Sequence, residues 1–190
     1  MKIWTLNVDF GDFQSFELQN SDKQFKKEFR KKIESGTPQN GELDNLELIE
    51  LDSGEVCDMP KFWTCGGTLL FSKRAKEILC DLLLDCVEFI PMKFQDTTLY
   101  LVNILRILDA VNYEKAELEI FPSGSVIGII KSSFIVSKIK GVNMFKVMLK
   151  EHIYLTEIYV STEFKTKVEE NHLTGFRFTE VWDSDVEAIY

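Results

Sequence analysis

One stretch constrains the fold more than any other. Residues 68–111 read TLLFSKRAKEILCDLLLDCVEFIPMKFQDTTLYLVNILRILDAV, the densest apolar pattern in the chain. Thr68 to Phe71 is short, apolar and β-prone, and predicts a strand. Ser72 follows, and its hydroxyl can accept from an unpaired backbone N–H of a first helical turn, as an N-cap does. Ala75, Ile78, Leu79, Leu82 and Leu83 then recur at three- and four-residue spacings, one stripe of a helix. Lys73, Arg74, Lys76 and Glu77 fill its other faces. Val87 to Phe94 predicts a second strand, with Pro91 favouring an edge or a strand end. Gln95-Asp96 makes a turn. Periodicity alone cannot say whether the apolar run Leu99 to Ala110 is strand or helix. The hairpin-like Asp96-Thr97-Thr98 before it argues for a strand. Leu79 and Phe89 are expected to be buried. Nothing in the stretch is a catalytic signature.

The flanks add to this frame. Met1 to Phe10 alternates like a strand, Gly11-Asp12 is a turn, and Phe13 to Leu18 can return as a second strand, which predicts an N-terminal hairpin. Ser21-Asp-Lys-Gln24 has the form of a capping box. Phe25, Phe29 and Ile33 then predict an amphipathic helix from Asp22 to about Glu34, ended by Ser35-Gly36 and Pro38. Leu118–Phe121 and Val126–Lys131 predict a hairpin. Phe134–Val136 and Gly141–Met148 predict short strands, with a brief turn of helix between them. Ile158-Tyr159-Val160-Ser161 parallels Leu69-Leu70-Phe71-Ser72, so a strand, a Ser-capped helix and a strand recur with matching offsets. Gly175 is placed as the C′ glycine of the second helix. Asp183 to Tyr190 is expected to be an acidic tail. The fold class expected is α+β: mainly antiparallel sheets with a few helices. Residues 1–44 form an N-terminal hairpin plus basic helix, packed on a main domain of residues 45–190.

Charge sorts the functional classes. The 190 residues carry a net charge of −9. That opposes nonspecific nucleic-acid binding, which needs cations to replace phosphate counterions, and it permits a basic partner. The distribution is more telling. Residues 33–60 contain no Lys or Arg, but hold Glu34, Glu42, Asp44, Glu47, Glu50, Asp52, Glu55 and Asp58. Interleaved Leu43, Leu46, Leu48, Ile49, Leu51 and Val56 predict structure there, with Leu46 to Leu51 a strand and Asp52-Ser53-Gly54-Glu55 its turn. Three readings stand: a solvated face, a surface for a basic partner, or a metal site. The third lacks the spacing of an EF-hand loop. The candidate partner-binding residues are Glu47, Glu50, Asp52, Glu55 and Asp58. The basic helix 22–34 has two readings of its own, an outer face on a core-packed helix or a contact for membrane or nucleic acid.

Other chemistries find little support. Cys57, Cys65, Cys80 and Cys86 contain no C-x-x-C pair, so a zinc knuckle is not expected. All four are expected to be reduced, with Cys80 a small buried hydrophobe. Cys65-Gly66-Gly67 could place a thiol beside backbone donors, but nothing ties His152 or His172 to it. No phosphate loop is present, because no Gly-Lys-Ser/Thr closes a glycine-rich turn. No cofactor or metal is called for. No run of about 18 apolar residues lacks charge, and the first residues lack a signal-peptide pattern. A cytoplasmic protein without membrane contact is therefore expected.

Five segments taken together resemble a known family. They are FWTCGGTLLFSKRAKEIL, VEFIPMKF, LYLVNILRILDAV, IKGVNMFKV and EIYVSTEFKTKVEENHLTGFRFTEVW, in that order. The positions that carry the likeness are Ser72 with Ala75-Lys76, Leu101-Val102-Asn103 with Asp109, and Ile158 to Ser161 with Phe164-Lys165. Leu173 to Phe176, leading to Trp182, completes the set. Over roughly residues 45–182 they look like a family of small bacterial proteins. That family was first catalogued as a domain of unknown function and later grouped among immunity proteins of polymorphic toxin systems. The resemblance implies a cytosolic protein that binds and neutralises a toxin domain, and it implies no catalytic residues. The alternatives are a small intracellular hydrolase using Cys65 or an acidic pair, and a regulatory or scaffold protein using the basic helix.

Overall fold

The computed structural model describes residues 1–19 and 22–187. In chain order the strands and helices begin with β1 (Lys2–Val8), β2 (Ser15–Leu18), α1 (Lys23–Glu34), β3 (Leu46–Asp52), β4 (Lys61–Phe62), β5 (Leu69–Phe71) and α2 (Lys73–Leu83). Then come β6 (Val87–Phe94), β7 (Thr97–Ile104), β8 (Ile107–Leu108), β9 (Glu117–Ile120), β10 (Val126–Lys131) and α3 (Val136–Ile139). The last are β11 (Met144–Leu149), β12 (His152–Ser161), α4 (Thr162–Glu170), β13 (Phe176–Asp183) and α5 (Ser184–Glu187). One sheet has the order β13-β1-β12-β11-β8 and a second the order β4-β2-β3-β6-β7-β5, while β9 and β10 pair alone as a ribbon. Most neighbours are antiparallel; β2/β4, β3/β6 and β8/β11 are parallel. The class is α+β, as the sequence leads one to expect.

Strand alternation distributes the core. Successive side chains point to opposite faces, so Leu69 and Phe71 enter one cluster and Leu70 another. The first cluster joins α2 and α4 to one face of both sheets: Ala75, Leu79, Leu83, Phe164 and Val168 meet Leu6, Val102, Met144 and Val160. The second lies under α1, where Phe29 and Ile33 pack on Phe16, Leu48, Ile90 and Leu101. The third covers the remaining face of the five-stranded sheet with Phe134, Phe145, Tyr159 and Trp182.

Both helices of the central layer start at a serine. Ser72 Oγ accepts from Ala75 N at 3.0 Å, and Ser161 Oγ accepts from Phe164 N at 3.1 Å. Each helix joins two strands separated by a single antiparallel strand: β7 lies between β5 and β6, and β1 lies between β12 and β13. The two helices are also tied end to end. Asn143 donates to Leu82 O near the end of α2 and accepts from Ser161 Oγ at the start of α4. Arg74, in the first turn of α2, donates to Asn171 O at the end of α4 and to Asp58. The helices therefore run antiparallel.

Several expectations are corrected. The N-terminal hairpin does not form: β1 is paired on both sides, by β12 and β13, so the chain must leave it for the other sheet before β2 begins. Residues 1–44 pack on the rest of the chain through the β2–β3 pairing. Asp22 caps α1, accepting from Phe25 N at 2.8 Å; Ser21 lies outside the described residues. Phe89 is only half-buried, as is Cys80. Phe134 makes an isolated bridge with Val111 instead of a strand. Asp183 closes β13 and α5 follows it; the rest of the expected acidic tail, 188–190, lies outside the described residues.

The helix stop is also moved. His172, not Gly175, takes the left-handed position after α4, with φ of 50°. Leu173 N donates to Val168 O and His172 N to Glu169 O, the paired bonds of a Schellman motif. Gly175 is needed for another reason. A Cβ there would lie 2.5 Å from Met59 O, and its φ is +88°.

Leu79 is wholly buried against α4 and the sheets. Leu79→Ala is expected to cost about 2–5 kcal/mol through lost burial and a residual cavity, read as a lower denaturation midpoint at unchanged m-value. Asp58→Ala should cost about 2–3 kcal/mol. That falls at or below the range for breaking a fully buried pair, because Arg74 is half exposed. Chemical denaturation beside Ser161→Ala, whose lost cap costs about 1 kcal/mol, checks the order.

Candidate partner-binding surface

The acids singled out in the sequence separate into two groups. Asp58 is buried, with 6% of its surface exposed. It accepts from Ser72 Oγ at 2.8 Å, Arg74 at 2.7 Å and Thr174 N at 3.0 Å. Its carboxylate is spent on joining the start of α2 to the loop before β13, so it is not available to a partner. The other four follow one another along β3 and its turn. Glu47, Asp52 and Glu55 are exposed, and Glu50 is half-buried.

Local structure holds these four in place. Leu48 enters the core beneath α1 and anchors the strand. Ser15 Oγ donates to the Asp52 carboxylate at 2.6 Å and accepts from Asp52 N at 3.2 Å. Gln14 Nε2 donates to Glu50 at 3.0 Å. Gln14 N donates to Glu55 O, and Glu55 N to Asp12 O. Gly54 permits that approach, since a Cβ there would lie 2.4 Å from Asp12 O. Among the described residues, none of the four carboxylates is within 4.0 Å of a Lys or Arg nitrogen. Glu17, Glu34 and Glu42 nearby are each paired, with Lys26, Arg30 and Lys32. The cations of α1 are thus partly used within the chain, and its Phe29 and Ile33 face the core.

The strand also has an open flank. β3 meets β6 only at Leu46–Met92 and Glu47–Lys93. Beyond that the two diverge around a cleft of about 480 Å³ lined by Glu47, Leu48, Ile49, Glu50, Lys93 and Phe94. At the other end of this short ladder, before its first pair, the Pro91 carbonyl accepts from Asn45 N.

Sequence patterning missed the other half of this face. Asp9 and Asp12, on the connection from β1 to β2, share a hollow of about 310 Å³ with Phe10, Asp52 and Lys61. Leu51, Val56, Phe10 and Trp63 are exposed nearby. Leu51 and Val56 neighbour the acids in sequence, but only the return of the chain from β1 into the second sheet brings Asp9, Phe10 and Asp12 there, and no local signal announces it.

The thiol alternative meets unfavourable surroundings. Cys65 is buried in the core under α1. Burial pushes its thiol pKa up, outweighing the Thr68 hydroxyl and the charges of Arg30 and Lys146, which pull it down. An activated nucleophile needs the reverse. Cys57 is likewise raised by burial, to about 11. All four cysteines are free. Among the described residues, no helix is long and apolar enough to cross a membrane, and no group of three or more His, Cys, Asp or Glu could hold a metal ion.

Fold and surface define the class: a mixed-sheet α+β domain carrying a carboxylate-rich, partly aromatic face. A family model described as immunity protein family (Imm11) matches residues 16–183, and the chain belongs to that family. The match starts at β2, earlier than the likeness read from the sequence, and so takes in α1 as well. Membership implies a toxin-neutralising immunity function. No curated protein matches the chain.

Native-state alkylation at pH 8 should modify half-buried Cys80 well before Cys57, Cys65 and Cys86. Mass spectrometry without reductant should count four free thiols; early labelling of Cys65 would contradict the burial described.

Proposed function

We propose that this protein acts in the cytoplasm as an immunity protein that binds a cognate toxin domain and blocks it by occlusion, without catalysing a reaction. The observation that carries the reading is the row of Glu47, Glu50, Asp52 and Glu55, held on a strand and turn with no Lys or Arg nitrogen among the described residues within salt-bridge distance. Family membership supports the toxin as partner. Complementary charge accelerates encounter by orders of magnitude, which suits a protein that must reach its toxin before damage is done. A strand held by core packing loses little freedom on binding, so more of the contact energy remains as affinity. A basic cleft on the toxin is the natural complement. The raised, buried thiol of Cys65 favours this reading over hydrolysis.

Co-expression with the toxin domain encoded beside this gene tests the proposal, scored by growth rescue and co-purification. The combined variant Glu50→Lys, Asp52→Lys and Glu55→Lys should slow association at least tenfold at low salt, in line with the gain from steering. Its unfolding midpoint should stay close to wild type. Equal protection and an unchanged association rate would leave the acids as a solvated face.

A further inference from the structure

Beside the acids stands a stack of three side chains from two segments far apart in the chain. The Lys61 ammonium lies 3.4 Å from the centre of the Trp63 ring and 4.5 Å from that of Phe10. The Arg177 guanidinium lies 5.4 Å from the Phe10 ring. Phe10 leaves the end of β1, Lys61 belongs to β4, and Trp63 directly follows β4. Even so, Phe10 keeps 63% of its surface exposed and Trp63 keeps 50%.

A single exposed aromatic residue needs no explanation. Two, clamped on one ammonium with carboxylates on the Phe10 side, form a platform. The cation–π contacts hold the rings, and the backbone beneath them is fixed. Trp63 N donates to Phe16 O at 2.8 Å, while Ser15 sits in register with Lys61 on one side and Asp52 on the other. Asp9, Asp12 and Asp52 share a hollow with Phe10 and Lys61. An aromatic centre within a charged rim is the usual composition of a protein–protein hot spot, and pinned rings lose little entropy on contact.

We infer that Phe10 and Trp63 are the energetic centre of the toxin interface, seated in an apolar recess of the toxin that is rimmed by arginine and lysine. Lys61 is a positioning residue that pins both rings. The inference rests on the immunity reading above and adds a division of labour to it. The acids set the rate of encounter, and the aromatic platform sets the lifetime of the complex, since short-range packing acts mainly on dissociation.

The probe is the toxin domain encoded beside this gene, purified as an inactive variant, with association and dissociation rates measured by surface-immobilised binding. Phe10→Ala and Trp63→Ala should each raise the dissociation constant at least tenfold, chiefly through faster dissociation, with the association rate within twofold of wild type. Trp63→Phe keeps a ring and should retain most of the affinity. Ile130→Asp, on the exposed β9–β10 ribbon, should bind as wild type does. Circular dichroism and the unfolding midpoint establish that each variant is folded. If the Phe10 and Trp63 variants dissociate at the wild-type rate while the acidic triple variant associates slowly, the inference is overturned and the immunity reading stands. Loss of binding at Ile130→Asp with Trp63→Ala unaffected would place the centre on the ribbon and overturn it too. Failure of the wild-type chain to bind this toxin domain at all would overturn the immunity reading itself, and the inference with it.

Discussion

The structure depends on the antiparallel pairing of α2 and α4, and two polar residues hold that pair at its ends. At one end Asp58 takes bonds from Ser72, Arg74 and the backbone of Thr174, while Arg74 reaches the last turn of α4. At the other, Asn143 joins the end of α2 to the cap of α4. A buried carboxylate is costly unless it is paired and fully bonded, and Asp58 meets that condition only when α2, the 57–59 segment and the loop before β13 are all in place. The same bonds therefore report on three segments far apart in the chain. The close approach at Gly175 follows from them, because the Met59 carbonyl must lie against that backbone.

This central layer joins the two sheets. Residues of α2 and α4 pack against strands of both sheets in a single apolar cluster. β1 leaves one sheet and, within a few residues, the chain enters the other as β2. The acidic and aromatic face sits on that crossing. Asp9, Phe10 and Asp12 come from the connection itself, while Asp52, Lys61 and Trp63 come from the strands it joins. A face built at a junction of this kind is held from several sides.

Electrostatics divides the acidic residues by their surroundings. Glu17, Glu34, Glu42 and Asp58 all find cations within the chain, and so serve local structure. Glu47, Glu50, Asp52 and Glu55 take bonds from neutral donors or none, and retain an outward field. Exposed pairs contribute little stability, so leaving these four without a cation among the described residues costs the fold little.

Much of the fold was legible in the sequence because its determinants are local. The stripe Ala75–Leu79–Leu83, the serine caps at 72 and 161, the β6–β7 hairpin and the β9–β10 ribbon all follow from short-range periodicity and turn chemistry. The strand nature of Leu99 to Ile104 was legible in the same way, from the turn before it. Pairing partners were not legible. The alternation of Met1–Phe10 says that the segment is a strand, yet the same pattern suits a local hairpin and a central position between β12 and β13. Only long-range packing selects the second. The acids of residues 47–58 could be recognised by composition, but composition cannot tell Asp58 from Asp52. One is committed to the helix ends and the other faces solvent, and that difference arises when residues 58, 72, 74 and 174 come together. Likewise Phe10 and Trp63 are 53 positions apart in the chain, and they meet at Lys61 only because tertiary structure brings the residues after β1 beside β4 of the other sheet.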